Sequence, residues 1–201
     1  MFIYNACMSK IFFLEGLPGT GKSTIIEGLS KKYHTISEVM NKEMLAKKHN
    51  TPDQEFFLIN DEQKLTISKN YPGVTIIDRS PLSTVYFNIA KFLLDVNHPI
   101  LNVILWFQDK ILPVLFGENS RYVVLYIDID PKESLSRKNA EENVCDPWRN
   151  LRTLEMIRTF YLMLHDRFPN QVILIDGTMD RLELINKIEW YVQSFEEKIK
   201  N

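Results

Sequence analysis

Cysteine is scarce in this 201-residue chain, and the two present, Cys7 and Cys145, fit no metal-binding or redox spacing. They read as reduced thiols, which argues for a cytoplasmic protein rather than a disulfide-stapled one. The four histidines, His34, His49, His98 and His165, are scattered and give no metal spacing either. No apolar run approaches the ~20 uncharged residues a membrane-spanning helix needs. The opening MFIYNACMSK has no leading positive charge and no long apolar stretch, so it is not a secretory signal. Met8 sits just before the first expected strand, which marks the first seven residues as an extension. There is no surplus of basic residues: the net charge of −2 excludes a broad electrostatic surface for nucleic acid or membrane. Repeats and low-complexity linkers are absent, so the chain reads as one domain.

What is present is an alternation of strand and helix patterns, which predicts an α/β fold with a parallel sheet covered on both faces. Strands are expected at 11–15, 34–38, 74–78, 121–127 and 172–176. Helices are expected at 22–33, from a Thr51-Pro52 start with a capping-box Gln54 to Lys69, at 81–95, at 100–115 with a break near Pro113, at 130–139, 151–167 and 180–199. Phe56, Ile59, Gln63 and Ile67 are expected on one face of the helix ending near Lys69. In such sheets ligands sit at the carboxyl ends of the strands. Those ends carry Glu15, Glu38, Asp78, Asp128 and Asp176, an acidic cluster that a metal ion beside a phosphate site would offset. The aromatics Phe12, Phe13, Phe56, Phe57, Trp106, Phe107 and Trp190 are expected mostly in the core, with Phe56 or Phe57 beside a possible second pocket.

The strongest chemical signal is KIFFLEGLPGTGKST, residues 10–24. Its turn, Gly16, Leu17, Pro18, Gly19, Thr20, Gly21, Lys22, Ser23 and Thr24, matches G-x-x-x-x-G-K-[ST] after a strand and before an amphipathic helix (Ile25, Ile26, Leu29, Tyr33). Glycines permit positive φ and close backbone approach, so successive N–H groups form a nest for phosphate oxygens. The helix start adds its dipole to the same anion. Lys22 then serves the β/γ phosphates of a nucleotide, and the Ser23 hydroxyl is placed for Mg²⁺.

Asp78-Arg79-Ser80 ends the third strand. An acid there holds Mg²⁺ through water or orients a nucleophile, and Arg79 clamps a phosphate or a carboxylate. Glu38 ends the short second strand and is a general base or a grip on the acceptor. Residues 137–152, RKNAEENVCDPWRNLR, lack periodicity and carry charge, as a lid closing over phosphates would. Arg137 is the first candidate there, with Lys138, Arg149 and Arg152 behind it.

These residues together resemble the thymidylate kinase and deoxynucleoside kinase superfamily of P-loop kinases. The resemblance rests on Phe13-Leu14-Glu15-Gly16 running into Gly21-Lys22-Ser23-Thr24, on Asp78-Arg79-Ser80-Pro81-Leu82-Ser83, on Pro131 with Leu135 and Arg137, and on Ile175-Asp176-Gly177-Thr178. It implies a five-stranded sheet in the order 2-3-1-4-5, ATP and Mg²⁺ as cofactors, and a nucleoside monophosphate or a deoxynucleoside as acceptor. Lys22, Glu38, Asp78, Arg79 and Arg137 are then the catalytic set, with Glu38, Phe56, Arg79 and Ser83 on the acceptor side. Val39 stands where the relatives have proline, and Asn139-Ala140-Glu141-Glu142 replaces their arginine-rich lid continuation. The loop itself holds no arginine, so the lid must supply the charge. The alternatives are a kinase for another small alcohol, such as a sugar or an antibiotic, and a nucleotide-dependent ATPase switch binding a protein. The apolar helices 81–95 and 100–115 offer a homodimer surface.

Overall fold

A computed structural model describes residues 10–40, 54–118, 120–139 and 146–200, with side chains to residue 195. Five strands, β1 (Lys10–Gly16), β2 (His34–Ile36), β3 (Val74–Asp78), β4 (Tyr122–Asp128) and β5 (Val172–Asp176), pair in the order β2-β3-β1-β4-β5. Every pairing is parallel, as the strand–helix alternation and the resemblance both imply.

The sheet is covered on both faces because its central strand is apolar at every position from Ile11 to Leu14. Side chains alternate across a strand. Ile11 and Phe13 therefore join one core with Leu82, Val85, Trp106, Leu154, Ile157 and Tyr161. Phe12 and Leu14 join a second core with Ile25, Leu29, Leu184, Ile188 and Val192. The second core is closed by α1 (Lys22–Leu29) and the C-terminal helix α8 (Arg181–Lys200). The first is closed by α3 (Pro81–Leu94), α4 (Leu101–Trp106) and α7 (Leu151–Arg167).

Three departures from the sequence reading bear on function. Helix α1 stops at Leu29, and β2 stops at Ile36 rather than at 38. Glu38 thus leaves the sheet and sits in the loop above the cleft. Second, α2 (Gln54–Asn70) turns a different face inward from the expected one. Ile59 and Ile67 are exposed, while Asn60, Asp61, Lys64 and Ser68 are buried. Third, the expected helix at 100–115 contains a π-turn, Phe107–Ile111, followed by α5 (Leu112–Phe116). Pro113 has no N–H to donate back along the helix, and the widened turn precedes it. Trp190, expected in the core, is 55% exposed. Helix α6 (Pro131–Arg137) ends on the first residue of the expected lid, 137–152, and a 3₁₀ turn (Pro147–Arg149) lies within it; its residues 140–145 are outside the described residues. The expected extension at the N-terminus, both cysteines, His49 and the helix start at Thr51-Pro52 lie outside the described residues. Among the described residues, no helix is long and apolar enough to cross a membrane, and no three His, Cys, Asp or Glu side chains group as a metal site.

Candidate active site

The glycine-rich turn runs from the carboxyl end of the central strand into α1. At Gly16 any Cβ would lie 2.7 Å from the Ile127 carbonyl oxygen, so the strand edge excludes every other residue. Gly21 takes φ 83° as the residue preceding α1, a left-handed conformation that side chains resist. The first N–H groups of α1 have no partner within the helix and face the cleft with its positive end. Leu17 points into the core and offers only its backbone to the loop. The loop is tied down from outside by Ser134 of α6, whose hydroxyl donates to the Pro18 carbonyl at 2.6 Å.

Lys22 is buried and closes the turn on itself. Its Nζ donates to the carbonyls of Gly16 (2.7 Å) and Leu17 (2.9 Å) and to Thr20 Oγ1 (3.0 Å). Burial, reinforced by the charge of Arg79, brings its pKa down to about 7 against the opposing pull of Glu15, Asp78 and Glu38. A polyanion in the cleft reverses that balance by favouring the charged ammonium.

The Asp78-Arg79-Ser80 turn is held from two sides. Arg79 takes φ 60°, a left-handed conformation worth roughly 1–3 kcal/mol of strain for a residue with a side chain. Its N–H donates to the Leu14 carbonyl (3.1 Å). Below the turn, the buried Glu15 carboxylate accepts from Ser80 N–H (2.7 Å), Ser80 Oγ (2.6 Å) and Ser83 Oγ (2.7 Å). Above it, Lys64 Nζ reaches the carbonyls of Arg79 (3.1 Å) and Asp78 (3.4 Å). Lys64 is paired with Asp61 at 2.9 Å, and Asp61 accepts from Thr84 Oγ1 at 2.6 Å. The Arg79 guanidinium points into the cleft. Its Nε lies 2.7 Å from Glu38 Oε1. The angle is too poor for a hydrogen bond, so the contact is ionic.

The acidic cluster expected at the strand ends is largely dispersed by specific partners. Glu15 clamps the two serines. Asp128 is bound by both arms of Arg158, at 2.6 and 2.8 Å. Asp176 accepts from the Thr178 backbone and hydroxyl, which hold its pKa below the usual range. Glu38 pairs with Arg79. Asp78 Oδ1, by contrast, is buried without a hydrogen-bond partner among the described residues. Desolvation, with the charge of Glu38 behind it, holds the Asp78 pKa above the usual value.

A cavity at the loop is lined by Pro18, Gly19, Gly21, Lys22, Ser23 and Thr24 together with Glu38, Asp78, Arg79, Arg137 and Lys138. Arg137 is thus among the residues lining this cavity. Its guanidinium is engaged by Glu133 (Nε, 3.0 Å) and by the Gly177 carbonyl (3.0 Å). Arg149 lines a neighbouring recess with Trp148 and Lys138. Arg152 is exposed and lines neither.

A second pocket opens on the far side of Glu38 and Arg79. It is walled by Phe57, Phe87 and Trp148, with Asn60, Asp61, Lys64, Ser83, Thr84 and Asn88 around it. Ser83, one of the residues singled out in the sequence, lines this pocket. Phe56 does not line it: it is 1% exposed, in the core, and its neighbour Phe57 faces the pocket. Trp148 stacks on Phe87 with centroids 5.3 Å apart and lies 4.8 Å beneath the Arg79 guanidinium. Asp61, Lys64, Asn88 and Trp148 escaped the sequence reading. A capping pattern or spacing marks none of them, although a buried Asp and Lys three residues apart on one helix face is a signal that helical register would have revealed.

No family model matches the sequence, and no curated protein matches it. Solved structures do. Deoxyadenosine kinase from M. mycoides with bound dATP is 21% identical over 92% of this chain and 99% of that one, with a TM-score of 0.65. The same enzyme with the products dCMP and a flexible dCDP gives 20% and 0.65, and with dCTP 20% and 0.61, at the same coverage. Through its glycine-rich loop, its 2-3-1-4-5 parallel sheet and this superposition over most of its length, the chain has the fold of the P-loop deoxynucleoside kinases.

Proposed function

We propose that the protein is an ATP-dependent kinase that moves the γ-phosphoryl group of ATP to a deoxynucleoside or a nucleoside monophosphate. The observation that carries this reading is a shared wall. Glu38 and Arg79 line both the phosphate cavity and the aromatic pocket, so a donor on the loop and an acceptor among Phe57, Phe87 and Trp148 would meet there. Among acceptors, dCMP as a product of the M. mycoides enzyme favours the deoxynucleoside.

Phosphoryl transfer needs positioning and charge neutralisation more than covalent chemistry. The amides of residues 19–24 hold the nucleotide phosphates, and Lys22 turns from the loop carbonyls to them. Arg79 grips the acceptor or the transferring group. A hydroxyl of the acceptor attacks the γ-phosphorus while the bond to the β-phosphate oxygen breaks, and Glu38 takes the hydroxyl proton. With a monophosphate acceptor the attacking oxygen is already ionised and no proton moves. Arg137 completes the charge over the transferring group after exchanging Glu133 for phosphate. The orphaned Asp78 oxygen and the Ser23 hydroxyl both line the cavity and are the donors that would hold Mg²⁺. When bound, the ion supplies charge neutralisation at the phosphates.

On this reading the protein works in the cytoplasm, where ATP is the donor and Cys7 and Cys145 stay reduced thiols. Leu93, Leu101, Leu105 and Leu112 are exposed along α3 to α5 and form the face we assign to a second copy, which sedimentation velocity checks. The test of the reading itself is a panel of nucleosides and their monophosphates with ATP·Mg²⁺, read by ADP release. A nucleoside-dependent release is expected, and release that ignores every acceptor overturns the proposal.

A further inference from the structure

Resting on that reading, we infer that Lys64 is a positioning residue that sets the aim of Arg79. It sits on α2, fifteen residues before Arg79 in sequence, and is almost wholly buried. A buried ammonium needs acceptors, and three are supplied: the Asp61 carboxylate at 2.9 Å, the Arg79 carbonyl at 3.1 Å and the Asp78 carbonyl at 3.4 Å. All three of its N–H bonds are thus spent on protein groups. Although Lys64 borders the aromatic pocket, it has no donor left for a ligand there. Its work is on the backbone of the turn.

That turn needs support. Arg79 is one of two described non-glycine residues with positive φ, and a left-handed arginine persists only where its surroundings over-determine it. Glu15 anchors the next residue, Ser80, and the Leu14 carbonyl takes the Arg79 N–H, which leaves the two carbonyls of Asp78 and Arg79 to Lys64. Asp61 keeps the lysine in place and is itself fixed by Thr84 of α3. The chain of contacts runs from α3 through Asp61 and Lys64 to the carbonyls on both sides of the Arg79 Cα. From there the guanidinium extends to Glu38, to Ser83 Oγ at 3.3 Å and over the Trp148 ring. Without Lys64 the two carbonyls lose their charged donor, the turn relaxes towards an ordinary φ, and the guanidinium swings off Trp148.

The test is Lys64→Met, with Lys64→Arg as the conservative variant. Acceptor kcat/KM should fall about 100-fold in Lys64→Met, the scale of a small misplacement of a positioned group, while the KM for ATP stays within about twofold. Lys64→Arg, which keeps a cationic donor, should recover most of the loss. A second readout does not depend on catalysis. The emission of Trp148, isolated by subtracting the Trp148→Phe spectrum in each background, should change in Lys64→Met as the arginine leaves the ring, and return towards wild type in Lys64→Arg. If Lys64→Met does not fold because Asp61 is left unpaired, Asp61→Asn/Lys64→Met removes both charges and is read in the same way. Unchanged Trp148 emission in a folded variant, or a fall shared equally between ATP and acceptor, overturns the inference. If no nucleoside is phosphorylated at all, the kinase reading fails, and the emission alone decides the role of Lys64.

Discussion

The proposed donor half and the proposed acceptor half of the cleft are built by different means. The loop is local: Lys22 finds its three partners within six residues, and the glycines carry their own geometry. The proposed acceptor half is assembled at long range. Glu15 reaches across 65 positions to Ser80, Lys64 across 15 to Arg79, and Trp148 lies against Phe87 and Arg79 from far along the chain. A backbone-built site tolerates change in the rest of the chain. A site held by buried side-chain networks is tuned by residues that never touch the substrate, because each carboxylate or ammonium lost leaves its partners unsatisfied in a low dielectric.

The sharpest way to break this contrast is to remove one cation from each half. Lys22→Ala should lower kcat by about 10³-fold or more while the protein stays folded, since the loop keeps its glycines and its anchor to Ser134. Steady-state kinetics with a thermal melt checks both parts. Arg79→Ala should cost about 10²-fold in acceptor kcat/KM and leave the KM for ATP nearly unchanged. An effect confined to ATP affinity would exchange the two pockets. Next in size is a stability effect peculiar to the acceptor half. Glu15→Ala strands two serine hydroxyls and a backbone N–H in the core, and should cost about 3 kcal/mol in denaturant unfolding.

The smallest effect is a pH dependence of the donor half. Lys22 has a pKa of about 7 without nucleotide, and bound phosphates raise it. The complex therefore holds the proton more tightly than the free protein. Nucleotide binding should take up a proton from pH 7 upward, and affinity should weaken by no more than about tenfold per pH unit across that window. Below pH 7 the lysine is charged in both states and contributes no slope. Calorimetry in two buffers of different ionisation enthalpy reads the proton uptake directly.

Much of this was legible in the residues themselves, and the limits have a physical pattern. The strand–loop–helix at 10–29 and the apolar strands 74–78 and 172–176 declare themselves through composition and glycine spacing, so they stand almost where expected. The order of the sheet came with the resemblance. Helix α2 was misjudged in register because its buried face is polar. Ile59 and Ile67 pattern as a core stripe, yet they face solvent, while Asp61 and Lys64 neutralise each other inside. The same rotation puts Phe57 rather than Phe56 at the pocket. Five acids at the strand ends suggested a metal-centred cluster, but four have partners of their own, and one of them, Arg158, comes from a helix late in the chain. Such pairings depend on which residues fold together, and a local pattern does not record them.

Everything turns on whether one cleft brings two ligands against the same wall of Glu38 and Arg79. The most direct measurement is ADP release from ATP·Mg²⁺ by wild type and Arg79→Ala, each with and without a panel of deoxynucleosides and nucleoside monophosphates. A release that needs an acceptor, and that loses this stimulation in Arg79→Ala while ATP still binds, is the predicted result. Turnover of ATP at the same rate with every acceptor and with none, unaltered by the substitution, would contradict the account.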